Sequence, residues 1–205
     1  YKGTDNGALA ARLIDLADST DKGRPYAVSE FVSPGAVQIG ETVSAHAATL
    51  VLRVNGGYEG AERVKLCFIR NDYEGPVDFG LTACRITWDA RYRLLGHRDV
   101  LGALMSLGID RGRFGDIIMH EDGAVILVDT KLLPYLQQNL EKIAMVSVTI
   151  SEVPVASIPP RREKIKEIKT TVASLRLDAV VSSGFGISRT KAAEAIKGER
   201  VQVNW

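Results

Sequence analysis

From Gly7 to Ala17 the apolar residues Ala8, Leu9, Leu13, Ile14, Leu16 and Ala17 recur at helical spacing around Arg12 and Asp15, which predicts a helix. The segment after it is irregular. Glu30-Phe31-Val32-Ser33-Pro34 then reads as a turn into a short helix from Ala36 to Ser44, with Ser33 as cap and Pro34 at the first helical position. Thr49 to Val54 and Arg63 to Ile69 are rich in Val, Leu, Ile and Phe, and Asn55-Gly56-Gly57 between them signals a turn.

Further on the pattern becomes regular. A strand from Leu81 to Trp88 is followed by a helix from His97 to Gly108, strands at Asp116 to His120 and Ala124 to Val128, a helix from Lys131 to Leu140, and a strand from Met145 to Val153. Asp122-Gly123 supplies the tight hairpin between the middle strands. This β-α-β-β-α-β order is that of an RRM-like (split βαβ) sandwich, an antiparallel sheet with both helices on one face, so the fold class is α+β. Such a fold does not by itself give a function. An RRM reads bases by stacking them on exposed aromatics of its central strands. Gly115-Asp116-Ile117-Ile118-Met119-His120, read as one of these, has none, so stacking of that type is not expected.

Pro154, Pro159 and Pro160 precede Arg161-Arg162-Glu163-Lys164, where the charge of the chain shifts, and a proline-bearing stretch reads as a semi-rigid spacer. The expected organisation is a helix-and-hairpin segment over 1–70, the RRM-like domain over 71–153, a linker over 154–166 and a last domain over 167–205. In that last part Ser188 is a good N-cap for a helix running to Lys197, and Gly198 is the residue expected just past its end. Ala192, Ala195 and Ile196 share one face, leaving Arg189, Lys191 and Lys197 free to reach solvent or phosphate.

Charge runs alone usually mark a solvated face. Here, however, the Arg176-Leu177-Asp178 opening, the Gly186-Ile187-Ser188-Arg189 turn and the strand Gly198-x-x-Val201-x-Val203-Asn204 occur in one order. In this the segment resembles the S4 (αL) RNA-binding domain. S4 domains continue into further strands, whereas this sequence stops at Trp205, so the domain is expected to be truncated. The resemblance and the local charge imply that Arg176, Ser188, Arg189, Lys191, Lys197, Arg200 and Asn204 grip RNA.

Composition supports a division of labour. The 205 residues, 45% hydrophobic and 25% charged, suffice for more than one core, and the formal net charge is only +1. Yet from Pro159 to Trp205 ten Lys and Arg stand against five Asp and Glu, an excess of five positive charges, while the remainder carries a net −4. The basic tail is the footprint of a polyanion binder and the larger part is not. Cys67 and Cys84 lack metal-ligand spacing and read as buried thiols in strands, with a disulfide between them left open. No signal-peptide pattern or transmembrane-length apolar run is present, which makes a reducing cytoplasm the default and a membrane no partner. The chain starts at Tyr1 without an initiator Met, so this absence weighs less than usual.

His97-Arg98-Asp99 has the lettering of a kinase catalytic loop, but Leu104 stands where that loop needs Asn and no glycine-rich phosphate loop accompanies it. Helix capping accounts for it better, with Gly96 as N-cap and Asp99 in the first turn. Arg93 with the run from Leu95-Gly96-His97-Arg98-Asp99 to Arg111, followed by Gly115-Asp116-Ile117 and preceded by Gly57-Tyr58-Glu59-x-Ala61-Glu62-Arg63, resembles the YlmH/RqcP family of bacterial S4-domain RNA-binding proteins over most of the chain. Gly96 departs from that family's usual Ser/Thr cap, and Val32-Ser33 from its usual acidic position. The resemblance implies a ribosome-associated factor in translation and ribosome-associated quality control. It would bind rRNA on the large subunit and act in rescue of stalled nascent chain–tRNA complexes, with tRNA and a rescue or tailing factor as further partners and no cofactor. Cyanobacterial and plastid relatives imply a photosystem II connection instead.

An S4-bearing RNA-modifying enzyme, pseudouridine-synthase-like, is the other class to weigh. No nucleotide-phosphate loop or adenylation motif supports it, and Arg176-Leu177-Asp178 lies on the RNA-binding helix rather than in a synthase body, so no catalytic activity is expected. His97, Arg98 and Arg111 read equally well as a second RNA contact surface and as a capped helix with an ion pair. Arg63 and Glu62 read equally as a turn-stabilising pair and as a contact. His46 and His120, without partner carboxylates in sequence, read as ordinary surface or core residues.

Overall fold

The structure, a computed structural model, describes residues 3–89, 91, 95–161, 169–198 and 201, with residues 3–6 described by backbone alone. Helix α1 (Gly3–Asp21) runs past both ends of the periodic segment and buries Leu13 and Ala17. The segment expected to be irregular is instead strand β1 (Tyr26–Val32), paired antiparallel with β3 (Val64–Arg70), which also pairs with β2 (Leu50–Asn55) in the order β1-β3-β2. The register of β1 slips between Val28 and Phe31, and this bulge breaks the two-residue alternation by which a strand is recognised. Beyond the bulge both faces of the strand are covered, so adjacent residues are both buried, Val32 in the core under α1 and Phe31 in a second core toward the other sheet.

Helix α2 (Gly35–His46) follows Pro34, whose dihedrals are already helical at φ −53° and ψ −38°. The expected Ser33 cap is not made by its side chain: among the described residues only its backbone carbonyl serves the helix start, accepting from the Ala36 amide at 3.0 Å. Both helices pack on the face of the sheet that carries Leu50, Leu66 and Phe68.

The regular half follows the expected order, β4 (Leu81–Trp88), α3 (His97–Ser106), β5 (Phe114–His120), β6 (Gly123–Asp129), α4 (Leu133–Asn139) and β8 (Val146–Val153), with an unexpected two-residue β7 (Lys142–Ile143) before β8. All neighbours are antiparallel, in the order β5-β6-β4-β8-β7. Val100 and Leu104 of α3 and Leu133 and Leu136 of α4 share one core with Ile86, Ile126 and Val128 of the sheet, so both helices lie on one face. The strand order corrects one reading. The central strands are β4 and β6, and β5 is at the edge, because a split βαβ inserts its third strand between the first two. Neither central strand exposes an aromatic, since Trp88 is buried on the helix side.

On the opposite face Ala83, Val125 and Leu127 are buried together with Phe31, and Tyr58, Val155 and Ile158 pack against them. The surface an RRM offers to bases is thus partly covered from within the chain. Residues 154–161 are a departure from the spacer expectation. Val155–Ser157 makes one 3-10 turn on the sheet, and Arg161 donates its amide to Glu59 O at 2.9 Å and its guanidinium to Glu62 at 2.7 Å. Apolar side chains at 155 and 158 hold the stretch down, which proline spacing alone does not reveal. By its contacts the chain forms two compact units, residues 1–161 and 162–205, the second holding α5 (Leu177–Phe185) and α6 (Arg189–Lys197). Arg162, Glu163 and Lys164 lie outside the described residues.

Among the described residues, no helix is long and apolar enough to cross a membrane, and no group of three His, Cys, Asp or Glu is placed to hold a metal. Cys67 and Cys84 are free and buried on β3 and β4.

Candidate nucleic-acid interface

Ser188 starts α6 as its sequence position implies: its hydroxyl accepts the Lys191 amide at 3.3 Å. Ala192 is fully buried beneath the helix, packing that requires a small side chain, while Arg189, Lys191 and Lys197 are exposed. Lys197 also sits in the last turn, where a cation complements the helix dipole. Helix α5 ends on Gly186, whose φ of +63° is the left-handed conformation glycine adopts without strain, and this reversal lets α6 pack against α5.

Asp178 ties the two helix starts together. Its carboxylate accepts from Arg176 Nε at 3.0 Å and from Arg189 Nη2 at 2.7 Å, and these guanidiniums, Arg176 first, hold it below the usual carboxylate range. The two arginine side chains remain 72% and 58% exposed. Exposed pairs of this kind contribute little, so the carboxylate aims the guanidiniums without locking them away from a phosphate. Arg176 and Lys197 line the same open cleft of about 650 Å³ between the helices. Four of the expected cations and the Ser188 cap are thereby placed on one small unit; Arg200 and Asn204 lie outside the described residues.

The residues of the expected second surface separate. At the start of α3, Gly96 donates its amide to Asp99 Oδ2 at 2.8 Å, the capping read from the sequence, and His97 and Arg98 stand exposed beside it. Arg111 is half-buried and turned inward, donating to Phe114 O at 2.7 Å and Gly115 O at 3.1 Å over the Phe114 ring. Burial, and then the neighbouring Arg63, pull it down to about 10. Arg93 lies outside the described residues. His46 and His120 are exposed, with His46 Nδ1 2.7 Å from Thr42 O.

The motif residues 57–63 and 115–116 meet in a hub that sequence reasoning did not see. Asp116, buried, accepts from the Tyr58 hydroxyl at 2.8 Å and from the amides of Glu62 and Arg63 at 2.8 and 3.0 Å. Burial, helped by that bond, pushes the Tyr58 hydroxyl up. Arg63 and Glu62 do not pair with each other. Arg63 donates to Phe31 O at 2.8 Å and Arg111 O at 3.1 Å, while Glu62 takes Arg161. Gly57, at φ +95°, lies so close to Leu127 that a Cβ would come within 2.6 Å of it. A second tether joins the same sheets, with Lys65 of β3 buried against Asp129 of β6 and Arg113 on the other oxygen at 2.9 Å. The only sequence signal for the hub was the presence of both motifs; that they meet depends on contacts more than fifty residues apart.

Comparison with known proteins bears on both units. Residues 75–157 match the family model described as "Putative RNA-binding domain in YlmH", and residues 175–205 match the S4 domain. The chain is 30% identical over 180 residues to the ribosome-associated protein quality control protein P2 of Bacillus subtilis (strain 168), covering 87% of this chain and 69% of that protein. Its fold is similar to that of the cell division protein ylmH from Streptococcus pneumoniae, with a TM-score of 0.64 and 22% identity over 76% of this chain and 95% of the other.

Proposed function

The chain belongs to the YlmH family of S4-domain RNA-binding proteins, and from that premise we propose that it is a non-catalytic, ribosome-associated factor that grips structured RNA with its second compact unit. The observation that carries this is the cation set on α5 and α6: Arg176 and Arg189 aimed by Asp178, with Lys191 and Lys197 exposed on the same short helices. Arg200 and Asn204 complete the set by the S4 pattern. The RNA is ribosomal RNA of the large subunit, in the rescue of stalled nascent chain–tRNA complexes, with tRNA and a tailing factor as further partners in the cytoplasm. The name of the Bacillus subtilis relative supports the quality-control setting. The enzyme alternative is not favoured, because both family models are RNA-binding domains and the relative aligned over most of the chain is a quality-control protein.

His97 and Arg98 at the start of α3 form a second, weaker contact; Arg111, engaged by backbone carbonyls, does not join them. Two weak sites in one chain raise avidity without new contacts. Arg98→Ala is expected to weaken ribosome binding at an unchanged melting temperature. Equal binding by the variant removes the second contact.

Titration of ribosomal RNA at several salt concentrations tests the primary site. With about four cations on phosphates, log affinity falls by about 3 per decade of salt, and Arg189→Ala lowers that slope by about one contact. A salt-independent affinity, or no binding, would contradict the reading.

A further inference from the structure

A sheet edge presents unpaired backbone groups, and the three-stranded sheet has two edges, β1 and β2. The β1 edge is interrupted by its bulge. Along β2 all six residues, Leu50 to Asn55, pair with β3 in one unbroken register. One step before that ladder, Asn71 donates to Thr49 O at 2.8 Å. Alternation from this bond assigns Val51, Arg53 and Asn55 to β3 and turns the amides and carbonyls of Leu50, Leu52 and Val54 outward. Leu50 is already satisfied, with its amide on Ala47 O at 3.0 Å and its carbonyl accepting from Ser44 Oγ at 3.4 Å. Leu52 and Val54 have no such bond among the described residues. Val51 and Val54 are each 44% exposed, and the exposed Arg53 between them makes no ion pair among the described residues.

We propose that β2 is a docking edge for an extended segment of a partner protein. The segment adds to the sheet as a fourth strand, placing apolar residues beside Leu52 and Val54 and an acidic residue opposite Arg53. Arg53 decides the occupant. A second copy of this chain could use Leu52 and Val54 on both sides only in the antiparallel register that sets Arg53 against Arg53, and like charges directly opposite are destabilising. The same guanidinium attracts a carboxylate. An apolar–acidic–apolar triplet therefore gains the outward backbone bonds and one cross-strand ion pair, the way peptides add to open sheet edges elsewhere. Leu50, at the start of the edge, also lines a cleft of about 450 Å³ in which Ile14 and Val43 stand beside Asp18, Asp21 and His46. This inference does not depend on RNA binding.

The whole chain is titrated against a dye-labelled, end-capped peptide Thr-Thr-Val-Glu-Val-Thr-Thr and its analogue with Lys for Glu, followed by fluorescence anisotropy. The Glu peptide is expected to bind about tenfold more tightly, the size of exchanging an attractive for a repulsive cross-strand pair, and Arg53→Glu reverses the preference. Val54→Pro removes one outward amide that the fold does not use and abolishes binding, since proline is tolerated on an edge. The charge reversal remains decisive if the proline variant fails to fold. No binding of the Glu peptide, equal binding of both peptides, full binding by a folded Val54→Pro variant, or an unmodified chain that sediments as a dimer through this edge overturns the proposal.

Discussion

Asp116 accepts one hydroxyl and two amides from residues 53 to 58 positions upstream, so its carboxylate is a structural acceptor shared by both sheets. Asp116→Ala leaves the Glu62 and Arg63 amides without an acceptor, and at about 1–3 kcal/mol for each orphaned group the body is expected to lose about 3–5 kcal/mol in urea unfolding. Asp116→Asn, which keeps one acceptor oxygen, loses less. A loss below about 1 kcal/mol for the alanine variant would show that the hub does not hold the sheets. The buried thiols set an alkaline limit. Burial raises Cys67 to about 11 and Cys84 to about 12 from an ordinary 9.0, so the fold favours their neutral forms. Their contribution is fully present below pH 9.0 and is lost as pH rises through about 11 and 12, because the unfolded chain sheds these protons first. The urea midpoint is therefore expected to fall between pH 8 and pH 10.5, and to fall less in a Cys84→Ala variant than in the parent; a flat profile contradicts this. These burials were legible in the apolar strand patterns. The partners of Arg63 and Glu62 were not, because sequence adjacency suggests a pair while the strand geometry sends the two side chains to different neighbours.

Elements with strong local signals were mostly legible, although the Ser33 cap was not confirmed, and those fixed by distant pairing were not. The start of α6 follows from Ser188 alone, and Ser188→Ala is expected to cost the second unit about 1 kcal/mol, seen as reduced helicity and a lower melting temperature for that unit. An unchanged unit would mean that the Asp178 clamp, not the cap, fixes the helix start. The order β4-α3-β5-β6-α4-β8 was legible because each of these elements carries its own period, whereas the two-residue β7 is too short to show one. Strand β1 was missed because its bulge breaks the alternation before Phe31 and because Phe31 and Val32 are both buried, one on each covered face of the sheet. The position of β5 was misjudged because strand order is a property of the sheet and not of any one strand. Pro154, Pro159 and Pro160 marked a change of direction, and whether a proline-bearing stretch spans space or lies on a surface depends on what Val155 and Ile158 touch.

The chain as a whole divides its work between a body carrying net −4 before Pro159 and a basic second unit, and this asymmetry was visible in the sequence because charge, unlike strand order, needs no contacts to be counted. What remained hidden was that the N-terminal sheet and the RRM-like sheet are joined through Asp116, Asp129 and the apolar patch around Phe31, which covers part of the face that an RRM uses. The proposed division of labour accordingly gives the main RNA grip to the S4 unit and an auxiliary contact to α3, within the segment that matches the putative RNA-binding domain. The most direct measurement is sedimentation of the tagged chain with ribosomal subunits in a low-salt gradient, beside a variant with Arg176, Arg189, Lys191 and Lys197 all changed to Ala. The account predicts that the parent chain co-migrates with free large subunits and that the variant, folded by its circular dichroism, stays at the top. A parent chain found only at the top, or a variant that co-migrates as fully as the parent, would contradict it.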